Sequence, residues 1–341
     1  MADSNVQATA PDESREALRT LLAQLATART EIGKAVVGQE EVIEQLLVAI
    51  IAGGHVLLEG APGVGKTLLV RTLGTVTGLD FARIQFTPDL MPADVTGGLA
   101  LTPNPETGRT EVEFKPGPIF TQILLADEIN RATPKTQSSL LEAMQEHTVT
   151  VSGRTMALPE PLFVLATQNP IEMEGTYQLP EAQVDRFLMK TVVAFPTEDD
   201  LDAILDQTTG SSSAAPRQVL SAEEIIHLQE LTRAVPIASH LRRLVARFVI
   251  ATQPDGAGVS HEIADYVRFG VSPRGAQSLV LAAKGRALLE GRYNVALEDL
   301  EAVLLPTLRH RFQLNYEGIA AGVSAERLLN DTWQAVRRTL A

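Results

Sequence analysis

Cysteine is absent from the 341 residues. That excludes disulfides, thiolate metal sites and cysteine nucleophiles, and it fits a reducing compartment. Aromatic residues make up only 4%, so the core must be aliphatic, as in helix-rich and parallel-sheet proteins. The six histidines (His55, His147, His227, His240, His261 and His310) include no pair at metal-ligand spacing and read as ordinary surface or core residues. No apolar run approaches the length of a membrane helix, so no integral membrane segment is expected. The opening stretch MADSNVQATAPDES lacks the basic-then-apolar order of a signal peptide and reads as a disordered tail over 1–13. The expected location is the cytoplasm. Positive charge is also in deficit, with a formal net charge of −13. An acidic surface disfavours non-specific binding to nucleic acid or anionic membrane, and no nucleic-acid partner is expected. Two short basic stretches, HLRRLVAR (240–247) and LRHR (308–311), read as solvated helix faces.

What the chain does have is 45% hydrophobic side chains, enough for a large core and two domains. Helices are expected over 14–33 and 36–54, the second ended by Gly53 and Gly54. Short apolar runs then recur at 55–59, 81–86, 122–127, 162–167 and 191–195, as strands covered on both faces do. Helical stretches at 66–77 and 134–146 fall between them. This alternation predicts a doubly wound α/β domain. Two insertions break the rhythm: a Pro-, Gly- and Thr-rich segment at 87–119, and HTVTVSGRTMALP (147–159), which alternates about a Ser-Gly turn and reads as a hairpin. Strands are expected to stop after 196. QTTGSSSAAP (207–216) reads as a flexible break, followed by helices. One carries a Ser221–Glu224 capping box, one starts at Ser272–Pro273, and a third runs through ALEDLEAVLLPTLRHR.

GAPGVGKT (60–67) fits the phosphate-loop pattern at every fixed position. Gly60, Gly63 and Gly65 let the backbone curl so that its N–H groups converge on phosphate oxygens. The following helix adds its positive dipole end. Lys66 supplies charge to the outer phosphates, and the Thr67 hydroxyl is a Mg²⁺ ligand. ILLADE (123–128) is an apolar strand ending in two acids. Asp127 would bind the metal, and Glu128 would polarise an attacking water. Asn169, at the tip of LFVLATQN, could orient that water or contact the terminal phosphate. A site of this kind needs a further cation for transition-state charge, and Arg186 and Arg274 are the candidates. Arg274, in a helix first turn, could swing over the bound nucleotide. Arg186, on the rim of the α/β domain, is best explained if it completes a neighbour's site.

The linked segments VVGQEEVIEQLL, LLEGAPGVGKT, RIQFTPDLMPADVTG, FKPGPIF, LLADEINRATPKTQSSLLEAMQE, FVLATQNPIEMEGTYQLPEAQVDRF and GVSPRG, spread over about residues 36 to 280, resemble the MoxR family of AAA+ ATPases. The resemblance implies a five-stranded parallel-sheet core at 14–196, with a helix-2 insert near 87–119 and a pre-sensor 1 hairpin near 147–159, and an all-helical lid at 197–341. Both insertions would point toward a central pore or substrate. It implies a homo-oligomeric ring, usually a hexamer, with ATP and Mg²⁺ at the subunit boundary. Carried over by motif, the nucleotide would lie against Val37, Gly38 and Gln39 at the adenine. Its phosphates would lie against Gly60, Ala61, Pro62, Gly63, Val64, Gly65, Lys66, Thr67 and Leu68. Thr67 and Asp127 match the metal-binding positions, Glu128 the water-activating acid, Asn169 sensor 1, Arg186 the trans-acting finger and Arg274 sensor 2. Asn130 and Arg131 would face the same boundary. The family also implies a chaperone-like role toward a client protein complex, with a partner bearing a von Willebrand factor A domain. Two other readings compete on the residues alone. A nucleic-acid motor is disfavoured by acidic charge and scarce aromatics. A small-molecule kinase would need neither the large lid nor the DRF element.

Overall fold

The computed structural model describes residues 10–103, 110–168, 176–209, 215–256 and 259–340. Helix α1 (Ala10–Gly33) begins four residues inside the expected tail. Helix α2 (Glu40–Ile51) is shorter than the apolar pattern suggested, because Gly38 and Gly53 take positive φ on either side of it. The α/β alternation then runs through β1 (Val56–Gly60), α3 (Lys66–Thr77), β2 (Phe81–Gln85), α4 (Pro92–Thr96), β3 (Gly97–Pro103), β4 (Thr110–Pro116) and β5 (Ile123–Asp127). It continues through α5 (Pro134–Glu146), β6 (Thr148–Val151), β7 (Arg154–Ala157), β8 (Phe163–Gln168), α6 (Glu181–Val184) and β9 (Met189–Val193). The five long-range strands form one sheet in the order β2-β5-β8-β1-β9, with every pairing parallel.

Alternation along those strands divides the core in two. Val56, Leu58, Ile123, Leu125, Phe163 and Leu165 face one apolar cluster. Leu57, Leu124, Ala126, Val164 and Ala166 face the other. A sheet buried on both sides needs continuous apolar strands, which is why the runs read as they do. The second cluster is closed by α5 through Leu140, Leu141 and Met144, with Val95 of α4. His55 sits just ahead of β1, fully buried. It accepts from the Val164 N–H at Nδ1 (3.2 Å) and faces the Met144 carbonyl through Nε2 (3.2 Å). Burial lowers its pKa to about 4, so it is a neutral core residue.

The Pro-, Gly- and Thr-rich insertion contains its own strand pair: β3 pairs antiparallel with β4. The second hairpin, β6–β7, turns at Ser152–Gly153, both at positive φ. Beyond β9 come α7 (Glu198–Thr209), α8 (Ala222–Ala234), α9 (Ser239–Ala251), α10 (His261–Tyr266), β10 (Val267–Phe269), α11 (Pro273–Leu289), α12 (Leu297–Leu308), β11 (Gln313–Leu314), α13 (Tyr316–Ala320) and α14 (Ala325–Arg337). The Ser221–Glu224 capping box forms, and Ser272 accepts from the Gly275 N–H at 3.1 Å to start α11. The helical region also holds one short antiparallel ladder, β10–β11, too brief to leave an alternation in the sequence. Helix α7 runs through Thr209, into the stretch read as a break; residues 210–214 lie outside the described residues. Helices α8, α11 and α12 pack into the same apolar cluster as α1, α2 and α3.

Candidate active site

Strand β1 delivers the chain to a loop that enters α3 through Gly65, whose φ is 83°. Gly63 matches it at φ 84°, and a Cβ at either position would meet nothing within 4 Å. These glycines are therefore needed for backbone shape and an open face, which is what an incoming phosphate chain requires. Gly60 serves differently. A Cβ there would approach the Val193 carbonyl oxygen to 2.8 Å, so it lets β1 lie close against β9. No side chain caps α3, leaving its first N–H groups facing the loop.

A cavity of about 370 Å³ lies against this loop, lined by Pro62, Gly63, Gly65, Lys66, Thr67 and Leu68 on one side. Arg83, Gln85, Asp127 and Glu128 line the other. Lys66 donates to the Gly60 carbonyl at 2.8 Å. Burial lowers its pKa, while Asp127 and Glu128 pull the other way. Thr67 and Asp127 share this cavity, so a hydroxyl and a carboxylate are available to one hard cation, the donor set Mg²⁺ takes.

The acids at the tip of β5 are tied into a cross-strand network. Asp127 Oδ1 accepts from Thr167 Oγ1 of β8 at 2.6 Å, and the same hydroxyl accepts from the Glu128 N–H at 2.8 Å. Asp127 Oδ2 takes Arg83 Nη2 of β2 at 2.6 Å. Glu128 Oε2 accepts from Gln85 Nε2 at 2.6 Å and from Arg131 Nη1 at 2.9 Å. Glu128 itself sits at φ 56°, a left-handed conformation uncommon for a residue with a Cβ. Thr167, Arg83, Gln85 and Arg131 thus belong to the site in roles the phosphate-loop pattern does not report. Alternation on β2 was the available signal: Arg83 and Gln85 are polar and two apart, and Gln85 is in register with Asp127.

Not every expected residue lines this cavity. Asn169 lies outside the described residues. Ala61 and Val64 belong to the loop but do not line the cavity. Val37, Gly38 and Gln39 lie beside the chain leaving β9: Gln39 Nε2 donates to the Ala194 carbonyl at 3.4 Å, and a Cβ on Gly38 would strike the Asp200 carboxyl. Arg186 and Arg274 do not line the phosphate-loop cavity. They line a second cavity of about 830 Å³, together with Arg233, Arg242, Lys284 and Arg311. Arg274, expected in a helix first turn from which it could swing over a bound nucleotide, stands with Arg186. The reason is geometric. Helix α11 packs on α2, with Gly285 allowing close approach to Val48, and its capped N-terminus comes out beside the segment carrying Arg186. Among the described residues the guanidinium of Arg274 has no ion-pair partner. The basic stretch 308–311 also departs from expectation: Arg311 is only 7% exposed, and His310 is part-buried against the Phe187 carbonyl.

A glycine loop between a central parallel strand and a helix, with acids at the tip of the neighbouring-but-one strand, defines a P-loop nucleoside-triphosphatase. Residues 55–189 match the model of the ATPase family associated with various cellular activities (AAA), and residues 260–332 match the AAA lid domain. Chaperone MoxR1 of Mycobacterium tuberculosis is 42% identical over 328 residues, covering 96% of this chain and 85% of its own length. Protein MoxR of Paracoccus denitrificans is 35% identical, covering 86% and 89%. A crystal structure from Cytophaga hutchinsonii, described as that of a candidate ATPase, superposes with a TM-score of 0.88 at 39% identity, covering 95% of this chain and 97% of that one. The chain belongs to the MoxR family of AAA+ ATPases. Among the described residues, no helix is long and apolar enough to cross a membrane.

Proposed function

We propose that this protein hydrolyses ATP at sites shared between adjacent copies in a ring of six, and uses the cycle to remodel or mature a client protein complex. The observation that carries the reading is the separation of two half-sites. One cavity has the phosphate loop, the metal-binding pair and Glu128 but neither Arg186 nor Arg274. The other is lined by those arginines and carries no phosphate loop. Each is incomplete alone, and a neighbour's cationic cavity closing over the phosphate loop completes both.

In that arrangement the α3 N–H groups and Lys66 hold the phosphates. Thr67 and Asp127 would hold Mg²⁺, which when bound offsets phosphate charge. Glu128 Oε1 accepts the proton of an attacking water, while Gln85 and Arg131 hold the carboxylate through Oε2. Arg186 and Arg274 of the adjacent copy meet the charge that builds on the γ-phosphoryl oxygens. Val37, Gly38 and Gln39 take the adenine, and Asn169 orients the water. The β3–β4 hairpin supports a client-binding role: Leu99, Leu101 and Val112 share one face and are 49%, 73% and 63% exposed. A protein with a von Willebrand factor A domain is the partner class we assign.

The test is complementation. Lys66→Ala loses nucleotide binding. Glu128→Gln binds ATP without turnover. Arg186→Ala binds ATP normally and loses roughly a thousandfold in hydrolysis, the range an arginine finger supplies. Mixing the last two restores activity, because some boundaries then pair an intact Glu128 with an intact Arg186. A verified mixed ring with no recovered hydrolysis contradicts the shared site.

A further inference from the structure

Arg311 follows the last turn of α12, in the helical region, yet its guanidinium is committed to the α/β core. Nε donates to Asp185 Oδ1 at 2.6 Å. Nη2 donates to the Asp185 carbonyl at 3.0 Å and to the Phe187 carbonyl at 2.7 Å. Nη1 donates to the Leu188 carbonyl at 3.0 Å and to the Thr307 carbonyl in the last turn of α12 at 2.5 Å. Four of these five bonds grip the residues on either side of Arg186, and none goes to Arg186 itself. His310 adds a further contact from its Nε2 to the Phe187 carbonyl at 3.1 Å. Arg186 in turn donates from Nη1 to the Leu141 carbonyl on α5, so its guanidinium has an anchor separate from the bonds that hold its neighbours.

We propose that Arg311 is a positioning residue for Arg186: a guanidinium borne by the helical region fixes the peptide groups flanking the finger, so finger geometry follows the placement of that region. The proposal rests on the shared-site reading. A planar fork with five donors suits the task because several carbonyls converge on one point, which an ammonium cannot satisfy in one plane. The site is built for a buried cation. Burial lowers the Arg311 pKa, and the nearby Arg274 lowers it further, while Asp185 opposes both. Asp185 is thereby explained as well. The acid beside the finger is the counter-ion of Arg311 rather than a ligand of the nucleotide. Because Arg274 and Arg311 line one cavity with Arg186, a single shift of the helical region would move both cations presented to the neighbouring copy.

The coupling gives a defined kinetic signature. Arg311→Lys keeps the charge and much of the volume but loses the fork. Asp185→Asn keeps the shape and weakens one bond. Both should fold, bind ATP at their own phosphate loop with affinity unchanged, and lose kcat, by about tenfold to a hundredfold for Arg311→Lys, as for a misplacement of about 1 Å, and by less for Asp185→Asn. Mixing Arg311→Lys with Glu128→Gln protein should restore hydrolysis, since the Glu128→Gln copies present a correctly held finger. A merely structural defect would not be repaired by a neighbour. If Arg186→Ala loses hydrolysis while Arg311→Lys and Asp185→Asn keep it, the shared site stands and the positioning role is overturned. Loss of ATP binding, or loss of kcat that mixing cannot repair, overturns it too. If Arg186→Ala itself hydrolyses ATP at the full rate, the shared-site reading falls and takes this inference with it.

Discussion

At Asp127 a bound metal and Arg83 would compete for one carboxylate. Arg83 Nη2 lies 2.6 Å from Oδ2, and a metal bound beside Thr67 would need the same group. Arg83 is 46% exposed, so the pair is easily broken and contributes little stability. Its consequence is for metal affinity. Arg83→Ala should lower the Mg²⁺ concentration that gives half-maximal hydrolysis, by about threefold to tenfold, as for loss of one competing charge at partial exposure. A half-saturation point that stays put or rises would show that Arg83 does not compete. The gathering of Lys66, Thr67 and Glu128 at one cavity was legible in the sequence because their pattern is local, with spacing fixed by one loop or one strand end. Arg83, Gln85 and Thr167 were not, because strand pairing brings them to the acids from some forty residues away in sequence. Arg311 read as solvent-facing for the same reason: its partners lie more than a hundred residues upstream, beyond the reach of any helical pattern.

Elements with strong punctuation at both ends were legible to the residue. Helix α3 is bracketed by Gly65 and Gly78, both left-handed, and α5 by Thr133, ahead of Pro134, and a left-handed His147. Strand β9 sits two residues earlier than its apolar run suggested, because the chain turns out of the sheet and leaves Phe195 73% exposed. The β3–β4 hairpin was hidden by the Gly and Pro that make its base possible. Gly97 has φ 82°, and a Cβ there would fall 2.2 Å from the Lys115 carbonyl oxygen. Gly97→Ala should therefore open the hairpin without unfolding the sheet. Amide exchange across residues 98–103 and 110–115 should accelerate by about tenfold or more, which corresponds to about 1.4 kcal/mol of lost local stability, while β5 amides keep their rates. Unchanged exchange in the hairpin would show that the close approach carries no energetic weight.

For the whole molecule, the helical region is not a detached cap. Its helices α8, α11 and α12 share one apolar cluster with α1, α2, α3 and a face of the sheet. Arg311 and His310 extend that contact to the segment of Arg186. One protomer thus presents a phosphate-loop cavity and a cationic cavity as separate surfaces. The sequence made the fold class visible through alternation and the phosphate loop. It could not show on which side of the molecule Arg274 would emerge, since that depends on how α11 seats against α2. The most direct test of the split site is to measure ATP hydrolysis and light-scattering mass together across a dilution series. The expected result is specific activity that rises with concentration in step with ring mass, and nearly vanishes where only monomer remains. Full specific activity from protein at monomer mass would contradict it.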